Sequence, residues 1–490
     1  MSENNRAQQN HQYRLGLDLF RAAPRLVHSS VRCSIQGITL QSRLCRKRNR
    51  LDEYLGVFHS LRWFGDPVAY TNTQTKADSG HTMPIQTIAA ILIFLITYFI
   101  VGWGRLPGFR IDRTGAALIG AAFMVATGVL TLDEAYHGID LDTLVLLLGV
   151  MIVVAYLRLS GFFTLVNSWV LRHTHHPVVV LVAIVIVSGF FSSFLVNDAI
   201  CLVMTPLVME LVSSLKRNPV PYLLAIAMSA NVGSTATITG NPQNILIGSL
   251  SHIPYTRFAA ALAPVAGIGL VATTLVILLF FRSEFHGNHF EPPVHRVHYN
   301  KPMAIRSAVV ALAMVVFFFL GQPPAKVAIA AGAFLLITRR AKPERIYREI
   351  DFPLLLLFAG LFVVVTGMEK AVFTPQVLSY AGRIHLESVP VLSVVSAVLS
   401  NIVSNVPAVL VLKPFVLQLK EHQQRAWLTL AMSSTLAGNF TILGSIANLI
   451  VVQRARQKGV AIEFWEYFKV GAPLTVITIA IGVVLLLVRS

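Results

Sequence analysis

The segment PIQTIAAILIFLITYFIVGW (84–103) holds no charged residue, and it is the first of ten long apolar runs in this chain. The others lie at about 113–130, 142–159, 222–250 and 257–281, then at 305–320, 324–338, 352–370, 427–453 and 471–488. About 20 apolar residues in a helix cross a bilayer. Lipid offers the backbone no hydrogen bonds, and a helix satisfies its own within one segment. The runs therefore predict an all-α polytopic membrane protein. Composition agrees: 55% of residues are hydrophobic and 13% charged, where a water-soluble domain carries about 25% charged residues. A cytosolic enzyme, a disulfide scaffold and a disordered chain are excluded. The net charge of +17 is spread over short loops between apolar runs, as in cytoplasmic loops, and no nucleic-acid surface is indicated. Cys33, Cys45 and Cys201 form no CxxC pair, so no structural zinc site is expected. Neither a GxxxxGK[ST] loop nor an HExxH motif occurs. The chain is thus expected to lack ATP hydrolysis of its own and to be no enzyme, with no cofactor beyond a coupled proton or sodium ion.

Residues 1–82 form a polar, basic extension with twelve Lys/Arg, six Asp/Glu and no spanning run. It has no secretory signal pattern, and the expectation is a disordered tail, or a start that falls at Met83. A first repeat is expected over 83–281, a cytoplasmic linker over 282–304 and a second repeat over 305–490. His286, His289, His295 and His298 cluster in the linker without a ligand spacing.

The two halves repeat each other. FLVNDAICLVMTP (194–206) aligns with IVSNVPAVLVLKP (402–414), Asn197 on Asn405 and Pro206 on Pro414. AMSANVGSTATITGNPQNIL (227–246) aligns with AMSSTLAGNFTILGSIANLI (431–450), which pairs Thr237 with Thr441, Gly240 with Gly444 and Asn244 with Asn448. Asp140 and Gly149 likewise match Asp351 and Gly360. Chance similarity among apolar helices yields Leu and Val matches, not an ordered series of Asn, Pro, Gly and Thr.

Between the third and fourth runs of each half lie two apolar arms, 177–196 with 199–213 and 388–403 with 406–419. If each pair is a re-entrant hairpin, each half makes five crossings. The odd number makes the repeats inverted, with the site at the midplane between them. Charge supports this orientation. The loops at 104–113, 214–217, 282–306, 339–348 and 454–458 are rich in Lys/Arg, and in a ten-crossing topology all fall on one side, the cytoplasmic one. The expected location is the cell (inner or plasma) membrane.

TGNPQN (239–244) sets Gly240 and Pro242 inside an apolar run, which breaks a helix there. LGSIAN (443–448), with Gly444 and Ser445, is its gentler counterpart. Broken ends at membrane depth must line a cavity or be buried in protein, and they offer N–H groups to anions and carbonyls to cations. The hairpin tips Val196-Asn197-Asp198 and Ser404-Asn405-Val406 add two amides. The expected substrate-binding set is therefore Asn197, Asn244, Asn405, Asn448, Gly240, Asn241, Gly444, Ser445, Ser404, Thr237 and Thr441. Asp198 is the one carboxylate at the tips, and its counterpart is Val406. A charge at this depth is costly unless paired, hydrated or protonated, so proton exchange or cation ligation is its expected role. Arg158, Glu369 and Lys370 lie near span ends, where snorkelling explains them.

From Met83 onward the chain resembles the ion transporter superfamily of arsenite-efflux permeases, citrate-type permeases and sodium/dicarboxylate symporters. FLVNDAICLVMTPLV, SANVGSTATITGNPQNILIG and VSNVPAVLV are most similar to its arsenical-pump and anion-permease branch. The resemblance implies a scaffold domain, a mobile transport domain and a homodimer. In the dicarboxylate symporters a Ser-Asn-Thr tripeptide at each tip helps bind carboxylate and sodium. Here only the Asn is kept at both tips, which argues against that activity. An ionised Asp198 repels a dianion but tolerates a neutral oxyacid. The expected activity is proton-driven efflux of arsenite or a similar small oxyanion. A cation-coupled carboxylate or inorganic-anion symporter, and a subunit serving a partner ATPase, are the alternatives.

Overall fold

The computed structural model describes residues 85–104, 108–172, 176–286, 299–337, 341–372 and 385–488. The expectations for residues 1–82 and for a start at Met83 lie outside the described residues, as do those for His289, His295 and His298.

The described residues are mostly helical. The first half runs α1 (Ile85–Trp103), α2 (Arg113–Ala126), α3 (Leu132–Gly138), α4 (Leu141–Leu159), α5 (Phe162–Arg172), α6 (Pro177–Phe194), α7 (Asn197–Ser214), α8 (Pro219–Ser234), a 3₁₀ turn (Ile238–Gly240), α9 (Pro242–Ser251) and α10 (Tyr255–Phe280). After the short α11 (Arg282–Phe285), the second half runs α12 (Lys301–Phe319), α13 (Pro324–Leu336), α14 (Pro343–Tyr347), α15 (Phe352–Ala371), α16 (Val389–Val403) and α17 (Asn405–Leu417). It ends with α18 (Gln423–Ala437), a 3₁₀ turn (Ile442–Gly444), α19 (Ile446–Gln457) and α20 (Phe464–Val488).

Among the described residues, eight helices are long and apolar enough to cross a membrane: α1, α4, α6, α7, α10, α12, α15 and α20. Both arms of the first hairpin are among them, at 18 residues each, whereas the second pair has 15 and 13. The runs expected at 113–130 and 324–338 are helical over only 14 and 13 residues. At about 1.5 Å per residue these reach about 20 Å, short of the hydrocarbon thickness. The chain is a multi-pass membrane protein, with apolar side chains such as Ile85, Phe99, Leu312 and Val488 outermost.

The first residues of the helices explain where they start. Asp112, Asp140 and Asp351 each precede a helix and accept a hydrogen bond from a backbone N–H of its first turn, at 2.8, 2.7 and 3.1 Å, which fills an otherwise empty donor. Pro177, Pro219, Pro242 and Pro324 sit at first helical positions, where the missing N–H is not needed.

Gly149 and Gly360, matched in sequence, do the same work in space. A Cβ on Gly149 (α4) would lie 2.4 Å from the backbone of Ala328 (α13), and one on Gly360 (α15) would lie 2.7 Å from the backbone of Ala117 (α2). Each repeat thus lends a bare glycine to the second helix of the other, and small residues let the backbones touch.

Snorkelling does not account for the charges near span ends, because each is paired. Arg158 bonds Glu349, Lys413 lies 3.0 Å from Glu369, and Lys370 lies 2.6 Å from Glu134. Long charged side chains at helix ends can reach one another as readily as the interface, and pairing lowers their desolvation cost.

Candidate functional site: a cavity between hairpin tips and broken helices

The chain reverses at Val196 and at Ser404. Both are non-glycine residues with positive φ, 58° and 78°, a strained backbone that is rarest for a β-branched side chain. This reversal puts Asn197 and Asn405 at the first positions of α7 and α17, and neither helix start has a side-chain cap. Their free N–H groups, with the positive end of each helix dipole, face the same region. The Val196 N–H is tied to the Thr239 carbonyl at 3.3 Å, which docks the tip on the first break.

Both breaks are built alike. Asn241 caps α9, accepting from the Asn244 N–H at 2.8 Å, and Ser445 caps α19, accepting from the Ala447 N–H at 3.2 Å. The Asn244 side chain donates to the carbonyls of Ser234 and Thr237, each at 3.1 Å. Asn448 donates to those of Gly438 and Thr441, at 2.7 and 3.0 Å. These paired amides satisfy carbonyls that a broken helix leaves open. A Cβ at Gly240 would lie 2.1 Å from the Ser234 carbonyl oxygen, so the first fold-back requires glycine. Thr237 donates to the Ser193 carbonyl of α6.

The halves are braced across each other. Asn231 of α8 receives hydrogen bonds on its carbonyl oxygen from Asn197 (2.9 Å) and Ser445 (3.0 Å), and donates to Asn439 (2.8 Å) and Asn448 (2.9 Å). Its sequence counterpart Thr435 receives from Asn241 and Gln243, each at 3.1 Å, and lies 3.4 Å from the Asn244 carbonyl oxygen. Each half's broken helix is thereby held by a polar side chain of the other half's.

Beside this network lies a cavity of about 40 Å³. Asn197, Asp198, Ser404, Asn405 and Ser445 line it, together with Gln243 and Arg113. Val101, Leu354, Leu357 and Phe358 are among its apolar lining residues. Of the expected substrate-binding set, Asn197, Ser404, Asn405 and Ser445 line the cavity, together with Asp198, the expected coupling residue. Asn244, Asn448, Asn241, Gly240, Gly444, Thr237 and Thr441 do not line it; they belong to the breaks that shape its wall. The side-chain amide oxygens of Asn197 and Asn405 are buried and have no hydrogen-bond partner among the described residues. Buried polar atoms are normally paired, so two unpaired acceptors at equivalent positions of the two tips stand out on this wall. Asp198 adds a third acceptor. Ser404 and Ser445 supply hydroxyls. Cys201, one turn further along α7, is buried and free. Arg113 and Asn231 escaped the sequence reading. Arg113 sits in a loop-like basic stretch, and Asn231 is paired with a threonine, so the repeat does not flag it. Among the described residues no cluster of His, Cys, Asp and Glu could hold a metal ion.

Apolar helices that break beside a partly open cavity, with two hairpin tips on its wall, are the architecture of a membrane transporter. The chain belongs to the citrate transporter family, whose model matches residues 90–437 and 377–490. It is 29% identical over 423 residues to a 46 kDa membrane protein of Mycobacterium leprae, an alignment that covers 81% of this chain and 98% of the relative. It is 28% identical to the silicon efflux transporter LSI3 of Oryza sativa subsp. japonica, covering 82% and 98%. The fold is similar to that of the YdaH transporter of Alcanivorax borkumensis, with a TM-score of 0.55 at 14% identity, over 83% of this chain and 98% of that one.

Proposed function

We propose that this transporter exports a small hydroxylated inorganic acid of the arsenite, antimonite or silicic acid kind, in exchange for protons. The observation that carries the reading is the cavity. At about 40 Å³ it has room for about three or four water-sized groups, at about 10–15 Å³ each, which suits a compact solute. A citrate trianion fits this space less readily. The chemistry of the wall supports the same class. The Asn197 and Asn405 oxygens and the Asp198 carboxylate accept hydrogen bonds from hydroxyl groups. The serine hydroxyls and the bare starts of α7 and α17 donate to the cargo's oxygens. A neutral acid bearing several hydroxyls meets both demands and avoids the repulsion that Asp198 imposes on a dianion. Asp198 is then the group that exchanges the proton. A relative named for silicon efflux is in keeping with such a cargo. A second reading, a cation-coupled carboxylate or inorganic-anion symporter, draws on the guanidinium of Arg113 at the cavity and on the family's description.

Everted vesicles test both. With an imposed proton gradient, wild-type vesicles accumulate arsenite or silicic acid, and Asp198→Asn loses the gradient-driven part while eluting as a monodisperse protein. Sodium-dependent citrate or succinate uptake without metalloid uptake establishes the second reading instead. Metalloid uptake that is equal in Asp198→Asn and wild type removes Asp198 from the coupling.

A further inference from the structure

The cavity has a charge that the reading above does not use. Arg113 is half-buried on its wall, and among the described residues no hydrogen bond or ion pair reaches its guanidinium. Its position makes this unusual. It is the first residue of α2, a helix with no acid in its first turn, and the start of a helix is where a cation is least welcome. The neighbouring Asp112 accepts the Gly115 N–H at 2.8 Å and makes no ion pair with Arg113 among the described residues. A partly buried cation without compensation is costly, so its retention at this wall points to an opposite charge across the gap. Asp198 supplies one, and it too has no ion-pair partner among the described residues. Asp351, the other acid near Asp198, caps α15 through the Leu354 N–H at 3.1 Å. Cys201, one turn along from Asp198, is neutral in its ordinary form, as is Tyr467 beside Cys201.

The two charges belong to different groups of helices. Arg113 stands on α2, which packs against α1 and α15, and Asp198 on α7, which packs against α6, α8 and α19. They share only the wall of the cavity, so an attraction between them would be a force between the two groups, one that vanishes when Asp198 takes up a proton.

We infer that Arg113 is the fixed counter-charge of Asp198: it holds the ionised, empty tip against α2 and releases it on protonation. Arg113 is a positioning residue in this scheme, and it makes movement of the tip depend on the proton. The inference rests on the proton-exchanging role proposed for Asp198, but its test needs no cargo.

The test places a reporter thiol at the second tip, Val406→Cys, in a chain whose native cysteines are replaced by serine. An impermeant thiol reagent is applied to vesicles of each orientation, and the side that labels the reporter is used. Labelling is expected to fall several-fold as the medium is acidified, because protonated tips leave the labelled position. In Arg113→Gln the acid dependence is lost, in Arg113→Lys it is retained, and Arg113→Gln combined with Asp198→Asn behaves like either change alone. An Arg113→Gln profile that follows wild type overturns the inference, as does a wild-type profile without acid dependence. Failure of a well-folded, monodisperse Arg113→Lys to keep the dependence overturns it as well, since a fixed charge is then not what matters. A protein that labels as expected but moves none of the tested acids refutes the proposed cargo alone.

Discussion

Asn231 and Asn405 show how differently two buried amides behave at the scale of one side chain. Asn231 uses both ends: two donors meet its oxygen, and its nitrogen feeds two further asparagines. Replacing it by leucine strands partners on both sides, and each unmade buried hydrogen bond costs about 1–3 kcal/mol. Asn231→Leu is expected to lower stability by about 3–5 kcal/mol on that basis, read as a large drop in detergent melting temperature. Asn405 is the opposite case. Its oxygen has no partner to lose, so Asn405→Ala is expected to leave melting within about 1 kcal/mol of wild type, the ordinary scatter of point changes, while gradient-driven uptake collapses. Equal melting losses in the two variants would contradict the division between frame and cargo wall. The sequence makes Asn197, Asn405 and Asp198 conspicuous because polar residues inside apolar runs have few structural excuses. It hides Asn231 and Arg113, because one looks like an isolated helix asparagine and the other like a basic loop residue. The left-handed backbone of Val196 has no sequence signal at all, since valine is the residue least expected there.

Among elements, the helix contacts that join the halves rest on missing atoms. Gly149 and Gly360 are legible in the sequence only as repeat matches; that each meets the backbone of an alanine in the opposite half depends on tertiary packing. Alanine at either position forces the helices apart, and overpacking of this kind costs about 1–3 kcal/mol. Gly149→Ala and Gly360→Ala are each expected to destabilise by that order, and a leucine at either site to prevent accumulation of folded protein. A second link between the halves is ionic. Glu134, on the short α3, bonds the Lys370 ammonium at the end of α15 and receives the Thr131 N–H at 2.8 Å. The Lys370 hydrogen bond first, then the backbone N–H, hold its carboxyl down at about 2. A depressed carboxylate adds stability that is fully present above the ordinary value near 4.3 and is lost as pH falls through the folded one. The melting difference between wild type and Glu134→Gln is therefore expected to be constant near neutrality, to shrink below about pH 4.3 and to vanish near pH 2. Because the pair is solvent-exposed, that difference is small. A gap that widens with acid would mean that Glu134 is not held ionised by this pair.

For the molecule as a whole, the repeat in the sequence foretells the order of helices and the placing of the breaks, since Gly, Pro and Asn interrupt apolar runs at matched points. It does not foretell that neither half can complete its own breaks. Asn231 of the first half finds its donors and acceptors largely on Ser445, Asn439 and Asn448, and Thr435 of the second half is met by Asn241 and Gln243. Asn439 donates to the Met228 carbonyl across the same boundary at 3.1 Å, and Tyr98 to that of Pro407 at 3.3 Å. Separated, each half would expose or strand several such groups at about 1–3 kcal/mol apiece, a sum comparable with the whole stability of a typical protein, about 5–15 kcal/mol. The chain cut between residues 286 and 299 and expressed as two fragments puts this to measurement. Each fragment alone is expected to be rapidly proteolysed in the membrane, whereas both together co-purify as one monodisperse species with wild-type resistance. A single half that survives alone, monodisperse and protease-resistant, would show that the cross-bracing is ornament to two independent folds, and the reciprocal roles given to Asn231 and Thr435 would fall with it.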